Sequence, residues 1–234
     1  MEERMLYINN ELDELLIKKI INGTVEETRC FLMIVNELQV KNKLFLDNVY
    51  SYRGEEYDEE QWNVITVELD LFKRVIKNKN KQNKESIIKI LNNMLLVYSG
   101  YFENVELHDY YLYIEFKEEY VCNNNNQSLL NPDGSFDKFT KIDLSKFIQL
   151  RSNFQIFFYL KIMQFTKTGI ARIKMEEIKD KIFTKMPTKE IIRYIKNAIV
   201  TLETILEIEI EFKTIKKGRE LTSIELRFQE ELKC

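Results

Sequence analysis

The sequence predicts an α+β protein with two tandem domains, each mainly helical with a small β-hairpin, and three observations lead to this prediction. Residues 139–228 contain, in order, a long helix, a short strand, two further helices and a hairpin. Residues 1–120 show the same order less clearly. The stretch 121–128 between them is low in complexity and rich in asparagine, which is typical of a polar linker. The element order is that of a winged helix, so we predict two winged-helix domains at 1–120 and 139–234, joined by a linker at 121–138.

Bulk composition is ordinary for a globular protein. Of 234 residues, 44% are hydrophobic and 31% are charged, and glycine and proline are few. No run of about 18 apolar residues occurs, so we expect no membrane span. The start, Met1-Glu2-Glu3-Arg4, lacks a basic region followed by an apolar core, so we expect no signal peptide.

Cysteine and histidine usage argues against disulfides and metal. The three cysteines are far apart and form no Cys-x-x-Cys motif, which favours reduced thiols in the cytoplasm. The only histidine is His108, so a zinc site is not expected. We therefore expect a cytoplasmic protein without cofactor or metal.

Charge is distributed unequally along the chain. The net charge is -3, but residues 1–139 hold 16 Lys+Arg against 25 Asp+Glu, whereas residues 140–234 hold 19 against 13. This asymmetry predicts that only the C-terminal domain is strongly suited to a polyanion. Chance variation in a lysine-rich composition is the alternative interpretation.

The elements of the first domain follow from periodicity and breakers. We predict a helix over 6–21, a break at Asn22-Gly23-Thr24, and a second helix from Thr24 to about 38, because the acids Glu26 and Glu27 favour a first turn. Residues 63–69 alternate as in a strand. Asp70 is predicted to cap a short helix through residue 76, with a polar loop over 77–84.

The predicted helix from residue 85 to about 97 carries the first domain's candidate DNA contacts, Lys89, Asn92 and Asn93. Strands over 102–107 and 110–116 form a hairpin with His108-Asp109 as its turn. The hairpin is rich in glutamate and aspartate, which would repel phosphate. We therefore expect a protein-contact or dimerisation role for this domain, with DNA contact secondary.

The second domain is predicted to begin with a long amphipathic helix. Asp143 or Ser145 is placed to cap this helix, and Thr168-Gly169 ends it. Its apolar stripe keeps helical spacing at Phe147, Leu150, Phe154, Phe158 and Phe165. A short strand over 170–173 and a short helix over 175–183 follow, and Thr188 is predicted to cap the next helix.

The helix from residue 189 to about 206 is the main candidate for DNA recognition. At about 100° per residue, its apolar residues gather on one side and Lys189, Arg193 and Lys196 on the other. A major groove admits a helix, and arginine can pair with guanine, so we expect Arg193 to contact a base and the two lysines to hold phosphates. Thr188, at the start of this helix, is also a candidate DNA contact. The alternative is a solvated basic face on an ordinary helix.

The closing hairpin carries a second cluster of cations. Strands are predicted over 206–214 and 220–228, and the turn between them is Ile215-Lys216-Lys217-Gly218-Arg219. Lys216, Lys217 and Arg219 at a glycine-bearing turn form a compact tip suited to phosphates. The helix and the tip together predict a DNA-binding surface.

These residues resemble the iteron-binding, theta-type replication initiators of plasmids, the Rep family with two winged helices. The segment 139–144 leading into 150–160 is similar to the start of that family's second domain, with Ser152, Phe154 and Tyr159 at the serine, aromatic and tyrosine places of the pattern. Residues 191–203 are similar to its last helix and 208–228 to its closing hairpin. Over the first domain the resemblance lies mainly in the order of the elements.

The resemblance implies a protein that binds direct repeats in double-stranded DNA at a plasmid origin. The second domain would read the major groove, and the first would touch the backbone and mediate dimers. Monomers would initiate replication with a host initiator and the replicative helicase, and dimers would repress the protein's own gene.

The sequence contains no catalytic motif alongside the predicted DNA-binding surface, so we expect a protein that is not an enzyme. Rolling-circle initiators need paired histidines beside a tyrosine, and the chain has one histidine. No Gly-x-x-x-x-Gly-Lys-Ser/Thr phosphate loop is present. Two other functions remain open: a winged-helix transcriptional regulator, and a protein-interaction module that kept the fold without tight DNA binding.

Overall fold

In the computed structural model, residues 5–9, 23–51, 63–118, 139–182 and 186–228 are described. The chain divides into two compact units, Met1–Leu144 and Ser145–Cys234. Both contain helices and small antiparallel sheets. The linker predicted at 121–138 lies outside the described residues and stays a prediction.

The described residues of the first unit form helices, a three-stranded sheet and a two-stranded sheet. Its described helices are α1 (Val25–Ser51), α2 (Leu69–Val75) and α3 (Lys84–Tyr98), and short 3-10 turns cover Lys79–Lys81 and Ser99–Tyr101. Its three-stranded sheet consists of β2 (Val64–Glu68), β3 (Phe102–Leu107) and β4 (Tyr111–Phe116), with β4 in the centre.

Helix α1 begins where the sequence predicts, and its start carries a reciprocal cap. The Thr24 N–H donates to Glu27 Oε2 at 2.7 Å, and the Glu27 N–H donates to Thr24 Oγ1 at 3.3 Å. The helix continues past the predicted end near residue 38, because the following residues contain no glycine or proline that would stop it. Asp70 does not cap α2: the N-cap is Glu68, without a side-chain hydrogen bond, and Asp70 lies in the first turn.

The helix predicted over residues 6–21 is wrong at its start. Residues Met5–Asn9 form strand β1, which pairs antiparallel with β5 (Phe139–Asp143). The partner strand lies about 130 residues downstream along the chain, so local periodicity could not reveal the pairing. The rest of the predicted helix, up to Ile21, lies outside the described residues.

The long helix predicted to start at Asp143 or Ser145 is also wrong, because the chain is interrupted twice. Asp143 ends strand β5, and a short helix α4 covers Leu144–Phe147. The main helix α5 is Asn153–Gln164, capped by Ser152, whose hydroxyl oxygen accepts from the Gln155 N–H at 3.2 Å. The Gln155 side chain in turn accepts from the Arg151 N–H at 2.6 Å. This Ser-x-x-Gln pattern is a helix-start signal.

The second unit repeats the element order of the first. After α5 come β6 (Ile170–Lys174), α6 (Met175–Ile182), α7 (Thr188–Leu206), β7 (Ile210–Lys217) and β8 (Glu220–Phe228). Its sheet has the order β6-β8-β7, matching the order β2-β4-β3 of the first unit. In both sheets the last strand therefore lies in the centre, between the other two.

Aromatic side chains form much of each core. In the first unit, Phe31 of α1 stacks on Tyr98 of α3 at a centroid distance of 4.0 Å. In the second unit, Phe158 of α5 meets Phe154 and Phe157 edge to face at 4.9 and 5.1 Å. Phe154 also meets Tyr194, which belongs to the helix Thr188–Leu206, edge to face at 6.4 Å, so aromatic contacts join the core to the helices whose exposed surfaces are described next. In the part of the chain that is described, no helix is long and apolar enough to cross a membrane.

Candidate nucleic-acid interface

Helix α7 is held in place by its apolar side. The residues that face the core are all buried, as the sequence predicts: Ile191, Ile195, Ala198, Ile199 and Leu202. The helix begins after Pro187, which occupies the N-cap without a side-chain hydrogen bond. The prediction that Thr188 caps this helix is therefore wrong: Thr188 is its first residue and is half-buried.

The opposite side of α7 presents cations to solvent. Lys189, Arg193 and Lys196 are all exposed and lie at helical spacing on one stripe. Arg193 lies 3.9 Å from Glu190, and Lys196 Nζ lies 6.0 Å from the centroid of the Phe212 ring on β7. An ion pair at this distance and exposure contributes little to stability, so the Arg193 guanidinium remains available for an external partner.

Two further residues of this stripe are not among the sequence candidates. Asn197 is exposed, and the side chain of Val200 is 63% exposed although it is apolar. Both follow from the same helical spacing that identifies Arg193. An amide can read adenine and an apolar side chain can meet a thymine methyl, so both types suit a groove-facing helix.

The turn of the β7–β8 hairpin is tighter than predicted. Lys216 and Lys217 belong to strand β7 and pair with Leu221 and Glu220, which leaves Gly218-Arg219 as a two-residue loop. Of the two loop residues, only Gly218 has a positive φ, at 64°, the pattern of a type II′ hairpin turn. The side chains of Lys216, Lys217 and Arg219 are all exposed, and Arg219 lies in the loop itself, at the apex of the hairpin.

This hairpin projects beyond its sheet. Strand β6 pairs with Ser223 to Arg227 of β8, so among the described strands none lies beside the tip from Lys216 to Leu221 as a third strand. The register shifts between Ile215 and Lys216, which leaves Thr222 as an extra residue on β8. The Thr222 hydroxyl donates to the Ile215 carbonyl at 3.2 Å. A bulge bends a strand, so the tip is turned relative to the rest of the sheet.

The hairpin of the first unit does not project. Glu68 at the end of β2 pairs with Tyr111 at the start of β4, so all three strands reach the turn together. The His108 N–H donates to the Tyr111 carbonyl at 2.9 Å, which makes Asp109-Tyr110 the loop, one residue later than predicted. The Leu69 N–H donates to the Tyr110 carbonyl at 2.9 Å, so the loop is fixed against the start of α2.

The loop of this first hairpin is also linked to helix α3. Lys84 Nζ, at the start of α3, lies 2.8 Å from Asp109 Oδ1. The hydrogen bond raises the pKa of Lys84 and lowers the pKa of Asp109. The pair is exposed, and together with the Leu69–Tyr110 hydrogen bond it holds the loop beside the helices.

Helix α3 presents a stripe at the same helical positions as α7 but with a different charge. The two helices begin at Lys84 and Thr188, so Glu85, Lys89 and Asn92 correspond to Lys189, Arg193 and Lys196. Lys89, Asn92 and Asn93 are exposed, and Leu96 at the position of Val200 is 76% exposed. The stripe on α3 is neutral where the stripe on α7 carries three positive charges.

One titratable group away from these surfaces is the thiol of Cys30. Cys30 is fully buried, and desolvation raises the pKa of its thiol far above the usual value, so the thiol stays protonated and inert. Among the described residues, no group of three or more His, Cys, Asp or Glu side chains could hold a metal ion.

The fold defined by these two units is a mixed one of helices and small antiparallel sheets, and it has a solved counterpart. No protein-family model matches the chain, and no curated protein matches its sequence. A crystal structure of the Pi initiator protein in complex with iteron DNA matches with a TM-score of 0.63. The match covers 97% of this chain and 98% of that chain at 17% sequence identity, so the likeness is one of fold.

Proposed function

We propose that this protein binds double-stranded DNA sequence-specifically and initiates plasmid replication at direct repeats of an origin. The single observation that carries the proposal is that one unit combines an exposed, tri-cationic stripe on α7 with a projecting, tri-cationic hairpin tip. Counter-ion release from phosphates would supply affinity at both places. The shared fold with an initiator that was crystallised with iteron DNA is consistent with this function.

In this proposal each unit is a winged-helix domain, and the second is the principal reader. Helix α7 enters the major groove, where Arg193 meets a base edge and Lys189 and Lys196 meet phosphates. The tip, with Lys216, Lys217 and Arg219, holds the backbone nearby. Thr188, as the first residue of the helix, lies where the helix N-terminus would approach a phosphate.

The first unit has a lesser part in DNA binding. Its stripe has the right position but only one cation, Lys89, with Asn92 and Asn93 as polar contacts. Its hairpin does not project and carries carboxylates. We propose that it adds a weak DNA contact and serves mainly for protein contacts, including a dimer, a host initiator and the replicative helicase. The function is non-catalytic and needs no cofactor.

Fluorescence anisotropy at two salt concentrations tests this proposal. One labelled duplex carries the repeats beside the protein's own gene, and the other is a scrambled duplex of the same length. We expect preference for the repeats and an affinity that falls steeply with salt, with a log–log slope of about -0.9 per neutralised phosphate. Equal, weak binding of both duplexes would contradict the proposal and favour an interaction module.

A plasmid-maintenance assay separates initiation from transcriptional regulation. A plasmid whose only origin is the repeat region should persist when the protein is supplied and disappear when the supplied variant is Arg193→Ala. A regulator would bind the repeats without maintaining the plasmid. That result would support DNA binding as a function of this protein and would contradict a role in initiating replication.

A further inference from the structure

A cavity of about 510 Å³ opens in the first unit where α2 and α3 begin and the β3–β4 hairpin turns. Buried Leu69 and Ile87 supply its apolar lining, and Tyr110 and Tyr111 its aromatic lining. Tyr110 is 81% exposed, which is unusual for a large aromatic side chain. We call this cavity the tyrosine pocket.

The tyrosine pocket has a net negative charge. Two lysines line it, and each is already paired: Lys73 with Asp70 at 2.6 Å, and Lys84 with Asp109 at 2.8 Å. The fifth charged residue, Glu68, is exposed and makes no ion pair within the described part of the chain. One carboxylate is therefore left for a guest, and a guest of positive charge complements it.

Backbone pairing brings this carboxylate and the exposed ring to the same edge of the sheet. Glu68 is the register partner of Tyr111, and the next residue, Leu69, donates its N–H to the carbonyl of Tyr110. A cation already lies near the ring, because Lys84 Nζ is 5.5 Å from the Tyr110 centroid. An aromatic face and a carboxylate that line one pocket suit a planar cation better than a compact one, because guanidinium stacks and forms paired hydrogen bonds.

We propose that the tyrosine pocket binds an arginine side chain presented by a protein partner, with the guanidinium stacked on Tyr110 and paired with Glu68. The proposal stands apart from DNA binding, since three carboxylates line the pocket and would repel a phosphate backbone. It also gives the non-projecting hairpin of the first unit a use: the hairpin holds the ring and the carboxylate in place for a partner.

Titration of the ¹⁵N-labelled full chain, followed by NMR, tests this proposal. The probes are N-acetyl-arginine methylamide and the matched N-acetyl-lysine methylamide. We expect saturable shifts at the amides of Tyr110, Tyr111 and Lys84, with the arginine probe binding at least about threefold more tightly than the lysine probe. Tyr110→Ala and Glu68→Gln should each weaken the arginine probe by about threefold or more.

The matched control is the variant Leu96→Ala. Leu96 is an exposed residue of α3 that does not line the pocket, so this substitution should leave the affinity for the arginine probe unchanged. Equal affinity for the two probes, or shifts scattered over the chain, would overturn the proposal. So would saturable binding of deoxyadenosine monophosphate at the same amides, which would indicate a nucleotide site. Shifts of these amides on dilution without probe would assign the pocket to a second copy of the chain instead.

Discussion

Arg172 and Glu225 lie directly opposite each other on strands β6 and β8, and two nitrogens of the guanidinium donate to the same carboxylate oxygen. The distances to Glu225 Oε2 are 3.1 Å from Nε and 2.5 Å from Nη2. Arg227 donates to the other oxygen at 2.7 Å. The Glu225 side chain is 4% exposed, so one nearly buried carboxylate is satisfied by two arginines on the outer side of the sheet.

The stability of the second unit should depend on pH through this cluster. Hydrogen bonds from Arg172 and then Arg227 lower the pKa of Glu225 below its usual value of 4.5. Because the folded pKa lies below the unfolded one, the stabilisation is fully present above about pH 4.5 and is lost as the pH falls through the folded pKa. Urea unfolding should find Glu225→Gln less stable than wild type at neutral pH, and the difference should shrink in acid.

The control for this pH dependence is Glu211→Gln. Glu211 is exposed and pairs with Lys213 at 2.9 Å on the same sheet, so its loss should change the free energy of unfolding little at any pH. A gap between Glu225→Gln and wild type that is equally wide at neutral and acid pH would show that the carboxylate's charge is not what stabilises the sheet.

The hairpin tip should tolerate only a residue that accepts positive φ at position 218. Gly218 has a φ of 64°, and a Cβ added there meets no atom within 4 Å, so the cost of a substitution is one of backbone conformation. Gly218→Val should lower the free energy of unfolding by about 1–2 kcal/mol. Gly218→Asn should cost less, because asparagine tolerates a positive φ better than a β-branched residue such as valine. Chemical denaturation measures both, and equal costs would refute the turn geometry.

Replacing Arg193 by alanine should relax sequence preference. If Arg193 pairs with a base edge, Arg193→Ala should lose about 1–3 kcal/mol of discrimination between repeat and scrambled duplexes. Glu190→Gln removes the carboxylate 3.9 Å away and should leave that discrimination in place. Anisotropy titrations with both duplexes compare the two variants, and unchanged preference in Arg193→Ala would move the base contact to another residue of the stripe.

Lys217→Ala should weaken binding of all DNA by a similar factor. A phosphate contact carries no sequence information, so the variant should lose affinity for both duplexes and reduce the salt slope by about one. Lys89→Ala in the first unit is the matched lysine change. It should lower DNA affinity less than Lys217→Ala does, because the α3 stripe and the hairpin of the first unit offer few other cations. Equal effects of the two changes would assign the two units equal shares in DNA binding.

Local signals in the sequence predict the site-bearing elements well. The helix start at Thr24, the buried side of α7, and the presence of two hairpins all follow from short-range spacing, and the structure confirms them. These features depend on residues a few positions apart, which is the range that periodicity and capping rules cover. The DNA contacts themselves stay a prediction.

The errors have two different physical origins. Strand β1 depends on a partner far along the chain, so a propensity argument had no access to it. The break before α5, in contrast, has a local signal in the sequence, because Ser152 and Gln155 form a capping pattern. The prediction missed this signal because the apolar residues from Phe147 to Phe165 keep helical spacing across the break. The projection of the second hairpin could not be predicted, because it depends on where β6 stops pairing with β8.

The correspondence between α3 and α7 means that, under the proposed function, a few surface substitutions would change the share of each unit in DNA binding. Glu85 and Asn92 occupy the positions of Lys189 and Lys196, and all four side chains are exposed. Single-codon changes such as Glu85→Lys and Asn92→Lys could therefore recharge the first helix without repacking any core. Two units with the same element order would then exchange their proposed roles through surface substitutions alone.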